Sequence, residues 1–192
     1  MSVTEIAGSV LGVVAGFLLI RRSIWSYPPG IAMVGLYAFV FFRARLYSDA
    51  ALQLFFMAVQ IYGWVNWTAN RAARGTVTVR RMTGREILLW AAIVAAATVA
   101  DYGFLVRHTR DAAPALDALI TAFSIAAQTL LATRRLESWV AWIIVDVIGV
   151  VLYFRQGLYS VTGVYLLFLA LSVAGLLAWR RAFQTQATGM EA

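Results

Sequence analysis

The sequence predicts an all-α integral membrane protein, with seven transmembrane helices forming two parallel three-helix bundles joined by a linker helix. Three observations point there. The 192-residue chain is 62% hydrophobic and only 13% charged, with a mean hydropathy of +0.78, more apolar surface than a soluble domain of this size can cover. Its apolar residues fall into seven stretches close to the ~20 residues a helix needs to cross a bilayer. The first three stretches match the last three at a fixed offset of 112 residues. The whole chain, 1–192, reads as a single transmembrane domain: a first repeat over about 3–67, a linker helix over about 86–106 and a second repeat over about 114–179.

The first span, 3–20, has Arg21 and Arg22 after its apolar run and lacks a small-residue cleavage site, so it reads as a retained span rather than a cleaved signal. Gly8, Gly12 and Gly16 give it a GxxxGxxxG face suited to close helix packing. The second, 27–42, opens on Pro28 and Pro29, tolerated in a first turn; it is short, as is the sixth, so neighbouring helices must shield its ends. The third, 49–67, carries Gln53, Phe56, Gln60, Trp64 and Trp67 at steps of three, four, four and three, all on one helical face. The fourth, 86–106, holds Asp101 toward its far end, read as structural. The fifth, 114–133, starts at Pro114 and lines up Asp117, Thr121, Ser124 and Gln128 at steps of four, three and four. The sixth, 138–154, places Trp139, Trp142 and Asp146 at steps of three and four, and the seventh, 159–179, is almost wholly apolar.

The repeat is carried by particular residues. FRARLYS (42–48) matches FRQGLYS (154–160), and the same offset pairs Arg22 with Arg134, Ser26 with Ser138, Phe56 with Phe168, Gly63 with Gly175 and Trp67 with Trp179. Three spans plus one connector keep the two halves in the same orientation, a transporter architecture that holds substrate between the halves near the midplane. The halves also differ. The polar face of the fifth span corresponds to Glu5, Ser9, Gly12 and Gly16 of the first, and Gln53 and Gln60 correspond to Tyr165 and Ser172.

All sixteen basic residues are arginine. Eleven (21, 22, 71, 74, 80, 81, 85, 134, 135, 180 and 181) fall on one side of the spans and five (43, 45, 107, 110 and 155) on the other. That asymmetry puts the C-terminus in the cytoplasm and the N-terminus outside. The formal charge of +7 is therefore a topology signal. The basic stretch 70–85 reads as an ordinary cytoplasmic loop against membrane lipid, with no nucleic-acid partner. There is no cysteine and one histidine, His108, in an outer loop, which leaves little for metal, thiol or nucleophilic chemistry. GxSxG, HExxH, GxGD and Walker glycine motifs are absent, so neither an enzyme nor an ATP-driven machine is expected and no cofactor is called for.

What remains is binding. Facing stripes on the third, fifth and sixth spans would converge on one pocket built from Gln53, Gln60, Trp64, Trp67, Asp117, Thr121, Ser124, Gln128, Trp139, Trp142 and Asp146. All seven tryptophans fall toward the arginine-rich ends of their spans, where an interfacial belt is the bland alternative. Trp64, Trp139 and Trp142 share faces with polar groups and are assigned to the pocket. An intramembrane carboxylate costs about 2.5–3.5 kcal/mol on insertion scales, so Asp146 and Asp117 need a partner, either a neighbouring helix or a substrate; the substrate is preferred.

Three segments together, LQLFFMAVQIYGWVNW, DALITAFSIAAQTLLATRRLESWVAWIIVDV and GLYSVTGVYLLFLALSVAGLLAW, resemble the PnuC family of bacterial vitamin transporters from Trp25 to Trp179. The resemblance implies two parallel bundles as in the SWEET sugar transporters, a bacterial inner-membrane location, a homotrimer, and facilitated transport of nicotinamide riboside with trapping by cytoplasmic phosphorylation. Thiamine, riboflavin and deoxynucleosides are carried by relatives and stay open as substrates, and a scaffold or sensor without transport is the alternative from another class. One departure is Gly149, where related sequences often place an aromatic; it implies a larger or softer pocket. Such a substrate suits the stripes: indoles stack on a planar ring and amides take sugar hydroxyls, while a cationic ring gains about 0.5–2 kcal/mol over an indole face.

Overall fold

The computed structural model describes residues 3–45, 47–109 and 113–189. Leu46 of the repeated heptapeptide and Arg110 of the arginine count lie outside the described residues, as does the side chain of Glu5. The described chain is seven α-helices: α1 (Val3–Ile20), α2 (Tyr27–Arg43, entered through a 3-10 turn at Ile24–Ser26), α3 (Tyr47–Arg74), α4 (Gly84–His108), α5 (Pro114–Ala132), α6 (Glu137–Arg155) and α7 (Tyr159–Ala187). Five stretches pass a length and hydropathy test for crossing a membrane, namely α2 with its 3-10 turn, α4, α5, α6 and α7; α1 is a shorter apolar helix. The polar stripe of α3 lowers its mean hydropathy, although Leu54, Phe55, Ile61 and Val65 remain exposed.

Two helices outrun their apolar cores. The sequence ends the third and seventh spans at Trp67 and Trp179, but α3 continues to Arg74 and α7 to Ala187. The added segments, TANRAAR and RRAFQTQA, are rich in alanine, arginine and glutamine, which keep the helical ladder going after hydrophobicity stops.

Six helices form a closed order in which each packs on two neighbours: α1 on α2, α2 on α3, α3 on α5, α5 on α6, α6 on α7 and α7 back on α1. α4 packs on α5 alone and has no buried residue, as a linker outside the ring must. The glycine face of α1 packs closely on side chains. Gly8 lies against Tyr37 of α2, Gly12 meets Met33 and Phe168, each 3.0 Å from where its Cβ would stand, and Gly16 meets Leu171 of α7.

The offset of 112 also relates the helix ends. Arg22 and Arg134 both take left-handed φ values, 56° and 62°, and so do Arg45 and Gly157, at 62° and 74°. At α1 the Arg22 N–H donates to Leu19 O and the Ser23 N–H to Leu18 O; at α5 the Arg134 N–H donates to Leu131 O and the Arg135 N–H to Leu130 O. This is the Schellman closure, made here with arginine where glycine is usual.

The basic stretch between α3 and α4 is a docked strap rather than a free loop. The Arg80 N–H donates to Arg134 O at 2.9 Å and the Leu136 N–H to Arg80 O at 2.8 Å. Val77 and Val79 are buried in the aromatic core, and Arg22 Nη1 donates to Val77 O at 3.1 Å. Arg135 closes the strap onto α4, bonding Arg81 O at 2.6 Å and Glu86 at 2.5 Å. Glu86 also completes a capping box with Thr83 at the start of α4.

Candidate substrate site

The arginine-rich end of the ring is closed by four aromatic residues. Tyr27 meets Trp67 edge-on at 5.3 Å between ring centroids, and Trp67 and Trp139 each lie 5.5 Å from Trp179. Trp67 and Trp179 are fully buried. A buried indole N–H needs an acceptor, and each finds one on the other half of the molecule: Trp67 Nε1 donates to Leu131 O of α5 at 3.2 Å, Trp179 Nε1 to Leu19 O of α1 at 3.0 Å. Both acceptors belong to the last turn of a helix, and each already takes the capping N–H of Arg134 or Arg22, so the indole uses the carbonyl's second lone pair. Glycines make room for the rings. A Cβ at Gly63 would stand 2.6 Å from the Tyr27 hydroxyl, and one at Gly175 would stand 2.5 Å from the Trp139 ring.

Trp67 and Trp139 share helical faces with polar residues, yet in this conformation both are core. Trp64 and Trp142 stay partly buried, as does Gln53.

Deeper in the ring lie the buried polar groups. On α6, Asp146 is 3% exposed and accepts a 2.7 Å hydrogen bond from Ser172 Oγ of α7. On α3, Gln60 is buried and donates through Nε2 to Gly30 O of α2 at 3.4 Å; the absence of a side chain at Gly30 leaves room for the amide. On α5, Ser124 and Gln128 are buried, while Asp117 and Thr121 are partly so. The stripes of α3, α5 and α6 thus sit on three consecutive members of the ring. Among the described residues no group of three histidine, aspartate or glutamate side chains comes together to hold a metal ion.

Two residues of α7 join this set although the sequence reading did not select them. Ser172 is the partner of Asp146. Tyr165 meets Tyr153 in a tilted ring contact at 5.1 Å between centroids. They are the offset partners of Gln60 and Gln53, and that was the available signal. Tyr165 also answers the departure at Gly149, because its ring lies where a side chain at 149 would stand. The missing aromatic on α6 is made up from α7, so Gly149 leaves no void.

Two cavities open near the arginine-rich end, and Asp146, Ser172, Gln60, Ser124 and Gln128 lie outside both. One, about 470 Å³, runs between α6 and α7 beside Val140, Leu176 and Phe183. The other, about 390 Å³, lies between α3, α4 and α5 and is lined by Tyr62, Trp90, Arg80, Arg134 and Arg135 among others.

A closed ring of apolar helices that buries a carboxylate, amides and hydroxyls suits a multi-pass carrier of small molecules. The model of a family described as nicotinamide mononucleotide transporter matches residues 2–181, and the chain belongs to that family, the PnuC-type vitamin transporters. It is 35% identical to the riboflavin/roseoflavin transporter RibM of Streptomyces davaonensis, over 92% of this chain and 84% of that one. It is 27% identical to the nicotinamide riboside transporter PnuC of Escherichia coli, over 93% and 85% of the two chains. The crystal structure of the vitamin B3 transporter PnuC superposes with a TM-score of 0.73 at 26% identity, covering 93% of this chain and 80% of that one.

Proposed function

We propose that the chain is a facilitative carrier of nicotinamide riboside. The observation that carries this reading is Asp146, a buried carboxylate that accepts its hydrogen bond from the neutral Ser172 hydroxyl. A cationic ring would compensate such a charge at a depth where water cannot. Trp142 and Trp64 would stack on the ring, and Gln53, Gln60, Thr121, Ser124 and Gln128 would take the carboxamide and sugar hydroxyls, with Asp117 at the outer end. Trp67 and Trp139 frame the site from behind. The relatives named as nicotinamide riboside transporters, at 27% and 28% identity, support the same substrate. Riboflavin is the second reading, favoured by the 35% identity to RibM; its uncharged ring would rely on the amides and aromatics alone.

The arginine-rich end faces the cytoplasm in this reading, and substrate crosses by alternate opening of the two ends. No ATP-binding motif supplies a pump, so phosphorylation inside the cell traps what enters. The carrier assembles as a trimer, so light scattering in mild detergent should give a protein mass near three times 21.1 kDa; a monomer that still transports would remove the trimer from the mechanism. Uptake of nicotinamide riboside into sealed vesicles tests the function itself. Uptake should stop at equal concentrations on both sides whatever the proton or sodium gradient. Accumulation that collapses with an uncoupler would make the protein a coupled transporter instead.

A further inference from the structure

The offset of 112 places two arginines in the same left-handed cap, yet their side chains end differently. Arg22 Nη1 donates to Val77 O of the strap at 3.1 Å. Arg134 is 8% exposed, and its Nε and Nη1 are buried without a hydrogen-bond partner among the described residues. The Tyr27 hydroxyl of α2 is likewise buried without a hydrogen-bond partner among the described residues. A buried guanidinium with idle donors is costly. Burial, together with the positive charges of Arg80 and Arg74, holds the Arg134 pKa below the usual arginine value.

Arg134 lines the cavity of about 390 Å³ together with Arg80 and Arg135. The single carboxylate on that wall, Glu86, is already taken by Arg135 and Thr83, so the cavity keeps an excess of positive charge. Tyr62 and Trp90 supply aromatic walls, and Asn66, Thr129 and Thr133 line the rest; the Asn66 amide and both threonine hydroxyls are committed to backbone carbonyls. Arginine forks match the oxygens of a phosphate in both charge and geometry.

We propose that this cavity is an anion site for a phosphate group, carried either by the headgroup of an anionic lipid or by a soluble phosphate ester on the same side of the membrane. Filling it would set a negative charge beside Arg134 and tie α3, the strap and the α5–α6 turn to one ligand. The site is separate from the substrate residues, so it stands whatever vitamin the ring carries.

Calorimetry on the purified full chain tests it, with inorganic phosphate and monomeric short-chain phosphatidylglycerol as probes. Short-chain phosphatidylcholine and chloride at matched ionic strength are the controls. The expected result is saturable binding at one site per chain. Phosphatidylglycerol alone would mark a lipid site, and binding of both probes would mark a site open to soluble esters. Arg134→Gln should abolish binding and Arg80→Gln should weaken it at least fivefold, while Arg85→Gln, outside the cavity, binds as the parent does. Arg80 contributes to the strap through its backbone, so its variant decides the matter even where Arg134→Gln does not fold. Binding no stronger than that of the controls, or Arg80→Gln binding like the parent, overturns the proposal.

Discussion

Trp67 and Trp179 lie 5.5 Å apart at the arginine-rich end of the ring, and each donates its indole N–H to a carbonyl of the other half, Leu131 and Leu19. Donors and acceptors are both separated by 112 residues. The two bonds are one interaction made twice, once α3 to α5 and once α7 to α1. Each joins the halves where the ring must part if this end is to open.

The equivalence makes a quantitative prediction. Trp67→Phe and Trp179→Phe keep most of the aromatic packing and remove one donor each, so each should cost about 0.5–1.5 kcal/mol. Unfolding in detergent should show similar losses for the two variants. The rings touch, so the double variant should depart from additivity. A large loss in one and none in the other would show that the two bonds are not equivalent.

The glycines beneath the aromatic cluster give a second test. Gly63→Ala and Gly175→Ala would push a Cβ within 2.6 Å of Tyr27 and 2.5 Å of Trp139, overpacking that typically costs about 1–3 kcal/mol. Gly163→Ala on α7 meets nothing within 4 Å and should be neutral or slightly stabilising, since alanine is the better helix former. Thermal unfolding of the three variants checks the contrast. Equal behaviour of all three would mean that the cluster tolerates the added methyl groups.

Orientation has its own measurement. Cysteines introduced singly at Gly75, in the exposed turn after α3, and at His108, exposed at the end of α4, report opposite sides of the membrane. With eleven of sixteen arginines at the Gly75 end, position 108 should label from outside and position 75 only after permeabilisation. Labelling of position 75 from outside would invert the proposed transport path.

The sequence made some of this legible and hid the rest for physical reasons. Helix number and order follow from apolar runs, and the close packing of α1 from its glycine spacing. Helix ends were missed at α3 and α7 because hydropathy reports the bilayer while the hydrogen-bond ladder does not stop at its surface. The strap was missed because its anchors are the backbone of Arg80 and two valines, which give no periodic signal. For Trp67 and Trp139, spacing assigns a shared face without saying what that face meets, and here it meets the aromatic cluster. Ser172 was within reach, since it occupies the offset position of Gln60, but a lone serine on an apolar helix draws little notice until its acceptor is seen.

Among the proposed substrate residues, Gln60 and Gln128 should act through hydrogen bonds. Removing either partner in a dry site costs roughly 1–3 kcal/mol, about five- to over a hundredfold in affinity. Asp101→Asn and His108→Ala, on the linker helix α4 outside the ring, should bind substrate as the parent does. If Gln60→Ala and Trp142→Ala insert, fold and bind unchanged, the stripes are packing and the site lies elsewhere.

The central claim, that a buried carboxylate selects a cationic vitamin, rests on Asp146 and is tested most directly by substituting it. Affinities of the parent and of Asp146→Asn for nicotinamide riboside and for riboflavin should be measured side by side on purified protein. The substitution keeps the shape and a partner for Ser172 while removing the charge. Nicotinamide riboside should bind the parent and lose at least about fivefold, or 1 kcal/mol, in the variant, while any riboflavin binding stays within about twofold. A parent that binds riboflavin but not nicotinamide riboside, or a variant that weakens both ligands equally, would contradict the claim.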